Sequence, residues 1–155
     1  MARGGLTIIF LGCNGVLNNV ATPGTGLAKI EPSCVDQLNY ATDHFDRDSF
    51  FVISCPWRFE DYPVLKIALH RAGLKCKVFD VTGKVIDSKK TRGDEIQAYL
   101  THYVEKRCCG RRPITKYIIV DAIGDMAPLT EDLLLVDPLF GFTRSNADEL
   151  IRRLA

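Results

Sequence analysis

The chain of 155 residues has the length of one compact domain, and its apolar fraction of 46% and charged fraction of 25% are ordinary for a soluble globular protein. Its net charge of +1 provides no general attraction to nucleic acids or membranes. No apolar run approaches the roughly 20 residues that span a bilayer, and the apolar stretch from Leu6 to Leu11 is too short for a signal peptide. We therefore expect one domain over residues 1–155, located in the cytoplasm and away from membranes.

The first part of the chain predicts two apolar strands separated by a loop and a helix. Leu6 to Leu11 is continuously apolar, as expected for a parallel strand covered on both faces. The loop that follows is rich in Asn, Pro and Gly, and residues 18–30 are predicted to form a flap or rudimentary cap. The second strand is predicted from Ser49 to Ile53. Pro32 suits the first turn of the intervening helix, whose apolar face is predicted to carry Val35, Leu38 and Ala41.

The middle of the chain predicts two helices on either side of a third strand. The second helix is expected to begin at Pro63 and to end at Gly73, a natural C-terminal cap. The third strand is predicted at residues 76–81, and the third helix at residues 93–104. The core-facing residues expected on these helices are Val64, Leu65, Ala68, Leu69 and Ala72 on the second and Ile96, Leu100 and Val104 on the third.

The last part of the chain predicts two further strands, at residues 117–120 and 133–136, and a final helix. Ser145 and Asp148 are three residues apart, which fits a capping box at the start of that helix. Its core-facing residues are expected to be Leu150, Ile151 and Leu154.

The alternation of five strands with four helices predicts an α/β fold: a Rossmann-like three-layer sandwich with a mainly parallel sheet and helices on both faces. Ligands of such sheets bind beyond the carboxyl ends of the strands, where the strand order reverses. Polar or glycine-containing segments follow three predicted strands, at residues 12–15, 54–58 and 121–125. The sequence therefore predicts a ligand site where these segments meet.

Most cysteines lie in apolar segments, and none forms a Cys-x-x-Cys pair. Buried free thiols are therefore the preferred interpretation, with one adjacent pair in a loop as the exception. The six positions are Cys13, Cys34, Cys55, Cys76, Cys108 and Cys109.

Four segments, in order along the chain, resemble the motifs of the haloacid dehalogenase (HAD) superfamily. Residues 8–18 resemble the first motif, an apolar strand followed by Asp-x-Asp-Gly-Val-Leu, and Ser54 matches the Ser or Thr of the second. The fourth motif, Asp-x-x-x-Asp, matches Asp121 and Asp125. The basic residue of the third motif has three candidates: Lys89, Lys90 and Arg92. Residues 54–58, 92–96 and 136–143 add a similarity to a small, nearly capless branch that includes the domain of "Swiss army knife" RNA-repair proteins.

The resemblance implies a phosphatase mechanism with two aspartates in the first motif. The first attacks phosphorus and forms an aspartyl-phosphate, and the second protonates the leaving group and then activates water. Mg²⁺ is held by the first aspartate, the phosphate and an acidic residue of the fourth motif. The Ser, the basic residue and the backbone N–H groups of the first loop hold the phosphoryl oxygens.

This chain departs from that pattern at both catalytic positions. Gly12 stands where the nucleophile is needed, and Asn14 stands where the acid/base is needed. The amide of Asn14 forms hydrogen bonds but does not exchange a proton near neutral pH. Cys13 is predicted to face the core, because successive side chains at a strand end point to opposite sides. We therefore expect no aspartyl-phosphate catalysis.

The resemblance nevertheless implies a retained phosphate site. Its predicted residues are Asn14, Gly15, Ser54, Arg58, Lys90 and Arg92, with Asp121 and Asp125 as candidates for a Mg²⁺ site. Simpler interpretations stay open: Ser54 ends a strand, Asp121 caps a helix and Asp125 is a solvated loop residue. Trp57 either packs against the loop or, with Arg58, clamps a ligand. Lys90 and Arg92 either form a solvated turn or attract an anion to a helix N-terminus.

Three functions are compatible with these residues. The first is a degenerate phosphatase-like domain that binds a phosphorylated ligand, such as a nucleotide or nucleic-acid end, or a protein partner. The second is an active Mg²⁺-dependent phosphomonoesterase with a rearranged site. The third is a structural or assembly subunit that kept only the fold.

Overall fold

Five parallel strands form one sheet in the order β3-β2-β1-β4-β5. A computed structural model describes residues 4–59, 61–83, 91–106 and 112–155, without the side chains of residues 58, 59 and 106. Within those ranges the sheet has no antiparallel pair, so the predicted parallel α/β architecture is confirmed. The strands are β1 Leu6–Leu11, β2 Ser49–Ile53, β3 Val78–Val81, β4 Ile114–Asp121 and β5 Leu133–Leu135.

Four helices cover the two faces of this sheet unequally. They are α1 Pro32–Thr42, α2 Tyr62–Arg71, α3 Arg92–Lys106 and α4 Arg144–Leu154. Helices α1, α2 and α4 pack on one face, and α3 packs on the other. Among the described helices, none combines the length and apolar character needed to cross a bilayer.

The continuous apolar sequence of β1 is explained by burial on both faces. Ile9 and Leu11 belong to the core under α1, α2 and α4. Ile8 and Phe10 belong to the core under α3. Alternate residues of a strand point to opposite faces of the sheet. All four side chains are fully buried because helices cover both faces.

Two residues predicted to face the core are exposed instead. Val64 on α2 is 50% exposed and Val104 on α3 is 63% exposed. Leu65 and Leu69, one helical turn apart, form the buried side of α2. On α3 the buried side runs through Ile96 and Tyr103, and Val104 lies one residue, about 100° around the helix, away from it.

The predicted cap of α4 is displaced by two residues. The N-cap is Thr143, whose hydroxyl accepts the Asn146 N–H at 3.3 Å, while Asn146 Oδ1 accepts the Thr143 N–H at 3.0 Å. Ser145 and Asp148 therefore lie inside the helix. The capping box is therefore formed by Thr143 and Asn146, and not by the predicted pair Ser145 and Asp148. The C-terminal cap of α2 agrees with prediction, since Gly73 has φ of +98° and donates to the His70 carbonyl.

The N-terminus of α3 is docked tightly against the β4–β5 loop. The Thr91 N–H donates to Asp94 Oδ2 at 2.9 Å, and the Thr91 hydroxyl donates to the Ala127 carbonyl at 2.9 Å. A Cβ atom on Gly93 would come within 2.1 Å of the Met126 carbonyl oxygen. Glycine is required here because the backbones meet, and this contact fixes where Arg92 begins the helix.

We predict that Gly93→Ala destabilises the protein by about 1–3 kcal/mol, the usual cost of overpacking. The expected effect is opposite in sign to the usual one, since replacing glycine by alanine within a helix normally stabilises it. Gly124→Ala, in the β4–β5 loop that faces α3, is the control because nothing lies within 4 Å of its added methyl group. Urea unfolding of both variants measures the difference; equal midpoints would contradict the close docking of α3.

Candidate functional site

A cleft of about 430 Å³ lies at the carboxyl edge of the sheet. The strand order reverses at β1, which pairs with β2 on one side and β4 on the other. The segments after these strands meet there, as the sequence predicted. The cleft is lined by Asn14, Gly15, Asn18, Asn19, Val20, Lys29, Cys55, Pro56, Arg92, Ala122, Ile123 and Pro138.

An ion pair joins α3 to the end of β4 beside this cleft. Arg92 Nη1 donates to Asp121 Oδ2 at 2.7 Å, and the two side chains are 15% and 1% exposed. Asp121 Oδ1 accepts the backbone N–H groups of Ala122 at 2.7 Å and Ile123 at 3.2 Å. Both carboxylate oxygens are therefore bonded to donors of the protein itself.

The Asp121 carboxylate lies against the α-carbon of Gly12. The Gly12 N–H donates to the Val120 carbonyl at 2.8 Å, which extends the β1–β4 pairing one residue beyond Leu11. A Cβ atom on Gly12 would come within 2.5 Å of Asp121 Cγ and Oδ1. Gly12 has no positive φ, so its role is the close approach and not an unusual backbone conformation. The space of a side chain at position 12 is filled by Asp121.

The first loop is closed on itself by Asn18. The Gly15 N–H donates to Asn18 Oδ1 at 2.8 Å, and the N–H groups of Val16 and Leu17 donate to the Cys13 carbonyl. These three N–H groups of the first loop are therefore not available to a phosphate; the cradle itself stays a prediction. Asn14 is exposed and lines the cleft, and its Oδ1 accepts from Asn18 Nδ2 at 3.4 Å.

Lys29 is a cleft residue that the sequence did not reveal. Asn18 Nδ2 donates to the Lys29 carbonyl at 2.8 Å and so holds the far end of the loop beside its beginning. This bond spans 11 positions, and no local motif marks it. Residues 18–30 thus supply Asn18, Asn19, Val20 and Lys29 to the cleft wall; their role as a flap stays a prediction.

Only some of the other predicted phosphate-binding residues line the cleft. Gly15 and Arg92 line the cleft, whereas Ser54 is fully buried and only the following Cys55 and Pro56 reach the lining. Trp57 is 5% exposed and belongs to the core, which favours packing over ligand stacking. Lys90 and the side chain of Arg58 lie outside the described residues.

The residues present do not fit a Mg²⁺ site. The Asp121 carboxylate already accepts hydrogen bonds from the Arg92 guanidinium and from two backbone N–H groups. Gly12 has no side-chain oxygen to offer a metal ion. Asp125 is exposed and is not among the residues that line the cleft. In the described part of the chain, no group of three or more His, Cys, Asp or Glu side chains is arranged to hold a metal ion.

The cleft has an apolar mouth, formed by the exposed apolar side chains of its lining. Val20 is 69% exposed and Ile123 is 42% exposed, and Pro138 lies with them in the lining. The lining contains Lys29 and Arg92 and, among the described residues, no carboxylate. The arrangement suits an anionic group attached to an apolar one.

Comparison with known families identifies one match. The family model described as the HAD domain in Swiss Army Knife RNA repair proteins matches residues 8–147. No curated protein and no solved structure matches the chain.

We predict a strong energetic coupling between Gly12 and Asp121. Gly12→Ala should cost about 1–3 kcal/mol, because its methyl group displaces a carboxylate held by three hydrogen bonds. In an Asp121→Ala background the same substitution should cost a few tenths of a kcal/mol, since the space is then open. Urea unfolding of the four proteins measures the coupling; an equal cost in both backgrounds would show that the close contact is absent.

Proposed function

We propose a binding function for this chain, which belongs to the family of HAD domains in Swiss Army Knife RNA repair proteins. Its ligand is a phosphorylated nucleotide or the phosphorylated end of a nucleic acid, held without formation of an aspartyl-phosphate. The observation that carries this proposal is the Arg92–Asp121 ion pair, which fills the space at Gly12 where the family chemistry needs a nucleophile.

Three features argue against aspartyl-phosphate chemistry. Gly12 has no attacking oxygen. Asp121 is no substitute nucleophile, because both of its oxygens accept hydrogen bonds and its side chain is 1% exposed. Asn14 reaches the cleft but carries an amide, which does not relay a proton near neutral pH.

The charge of the cleft supports an anionic ligand. Asp121 offsets the charge of Arg92, so Lys29 leaves the lining with a net positive charge. Arg92 still has guanidinium N–H groups beyond the one that donates to Asp121 Oδ2, and these suit phosphate oxygens. Asn14 adds a neutral amide to the same wall.

The apolar mouth supports a nucleotide over inorganic phosphate. Val20, Ile123 and Pro138 offer apolar surface beside the cations, and a nucleobase or ribose would cover that surface. A cleft of about 430 Å³ lies within the usual size of small-molecule sites. The Mg²⁺ typical of the family is not part of this proposal, because Arg92 occupies the carboxylate that would hold it.

We predict that a nucleoside 5′-monophosphate binds at least about tenfold more tightly than the matching nucleoside, since one charge-assisted contact contributes about 1.5–3 kcal/mol. Lys29→Ala should weaken binding of the monophosphate by a similar factor and leave binding of the nucleoside unchanged. Lys75→Ala is the matched control, because Lys75 is exposed and lies outside the cleft. Isothermal titration of the wild type and the two lysine variants with both ligands measures these affinities. Equal losses of monophosphate affinity in both lysine variants would point to non-specific charge attraction.

We further predict that the wild-type protein releases no phosphate from a panel of nucleoside monophosphates and phosphorylated oligonucleotides in Mg²⁺. Its affinity for the monophosphate should change by less than about twofold, or ~0.4 kcal/mol, between Mg²⁺ and EDTA. Asp121→Asn provides the check on any turnover seen. Mg²⁺-dependent release that disappears in this variant would establish the active phosphatase instead.

A further inference from the structure

Cys13 and Cys55 stand at equivalent places on two neighbouring strands. In the β1–β2 ladder Leu11 pairs with Ile53, and each cysteine follows two residues later. The Ser54 N–H donates to the Leu11 carbonyl at 3.1 Å, which continues the pairing just beyond the strand ends. Adjacent strands are about 4.8 Å apart, within the range of separations that a disulfide bridges.

The two cysteines lie in the same buried core of the protein. Cys13 is fully buried and Cys55 is 1% exposed, and both belong to the core under α1, α2 and α4. Both cysteines stand two residues beyond a pair of the β1–β2 ladder, so their side chains enter the same face of the sheet. Neither cysteine is in a disulfide here.

The surroundings give the two sulfurs different chemical character. Burial by itself raises the pKa of Cys55, but the hydrogen bonds from Cys13 and Trp57, with the charge of Arg92, bring that pKa below its ordinary value. Burial and the hydrogen bond to Cys55 raise the pKa of Cys13 well above its ordinary value. The lowered pKa of Cys55 favours it over Cys13 as the nucleophilic thiol.

Cys55 also borders the cleft beside Arg92. Hydrogen peroxide, which is smaller than a phosphate, would approach Cys55 from this cleft. Cys13 is fully buried and is not among the residues that line the cleft.

We propose that Cys13 and Cys55 form a thiol-oxidation site, in which a peroxide oxidises Cys55 and Cys13 resolves the product as a reversible disulfide. The Cys55 thiolate attacks one peroxide oxygen, the O–O bond breaks, and the departing hydroxide takes a proton and leaves as water. The Cys13 sulfur then attacks the sulfenic sulfur of Cys55, the S–O bond breaks, and hydroxide leaves with the Cys13 proton as a second water. The two thiols together supply the two electrons that reduce the peroxide.

Two other described cysteines serve as internal controls. Burial raises the pKa of Cys76 to about 11, and Cys76 is not among the residues that line the cleft. Burial also raises the pKa of Cys34, whose sulfur contacts the Phe140 carbonyl. Both should stay reduced under conditions that oxidise Cys55.

Peptide mapping tests the proposal on the wild-type protein, without any variant. The folded, reduced chain is treated with a few equivalents of hydrogen peroxide, blocked with iodoacetamide and cut with trypsin. Trypsin places the three cysteines on separate peptides: Cys13 on residues 4–29, Cys34 on residues 30–47 and Cys55 on residues 48–58. The crosslink of interest joins the peptides that carry Cys13 and Cys55. We expect a disulfide-linked species of these two peptides. Its mass should be two hydrogens below the summed masses of the two peptides, and dithiothreitol should reduce it to the separate peptides.

The variants then assign the order of the steps. Cys13→Ser should abolish the crosslink and leave a Cys55 sulfenic acid that dimedone traps, whereas Cys55→Ser should leave Cys13 unmodified. Cys34→Ser should keep the crosslink at the wild-type yield. Oxidation of other cysteines while Cys13 and Cys55 remain reduced would overturn the proposal. Ligand binding does not enter this readout, so its failure leaves the proposed function untouched.

Discussion

The ion pair between Arg92 and Asp121 is the interaction on which the site depends. Taking a carboxylate out of water is costly, and removing one partner of a buried pair typically costs about 3–5 kcal/mol. Asp121 meets this cost with Arg92 and with two backbone N–H groups. The pair also fixes the distance between α3 on one face of the sheet and the end of β4 within it.

Two glycines make this arrangement sterically possible. Gly12 lets the Asp121 carboxylate lie against β1, and Gly93 lets the first turn of α3 reach the β4–β5 loop so that Arg92 points at Asp121. The glycine at position 12 is therefore more than a missing nucleophile. It is one half of a packed contact in which the Asp121 carboxylate, paired with Arg92, fills the space that a side chain at position 12 would take.

The sequence predicted the fold well because its signals were periodic and repeated. The continuous apolar run of β1 and the glycine after α2 led directly to observed elements. The errors lie at Val64, Val104 and the cap of α4, where a residue fitted the local pattern but tertiary packing or capping used another one or two positions away. Motif order also brought Asn14, Gly15 and Arg92 to the cleft. Lys29 could not be predicted, because its place depends on a side-chain bond from Asn18 across the loop.

A crystal structure of the protein grown with a nucleoside 5′-monophosphate and Mg²⁺ distinguishes metal-free binding from metal-dependent catalysis. We expect phosphate oxygens bound between Lys29 and Arg92, the sugar or base against Val20 and Ile123, and Asp121 still paired with Arg92. A Mg²⁺ ion bound to Asp121 and bridging to the phosphate, with Arg92 displaced, would contradict this expectation.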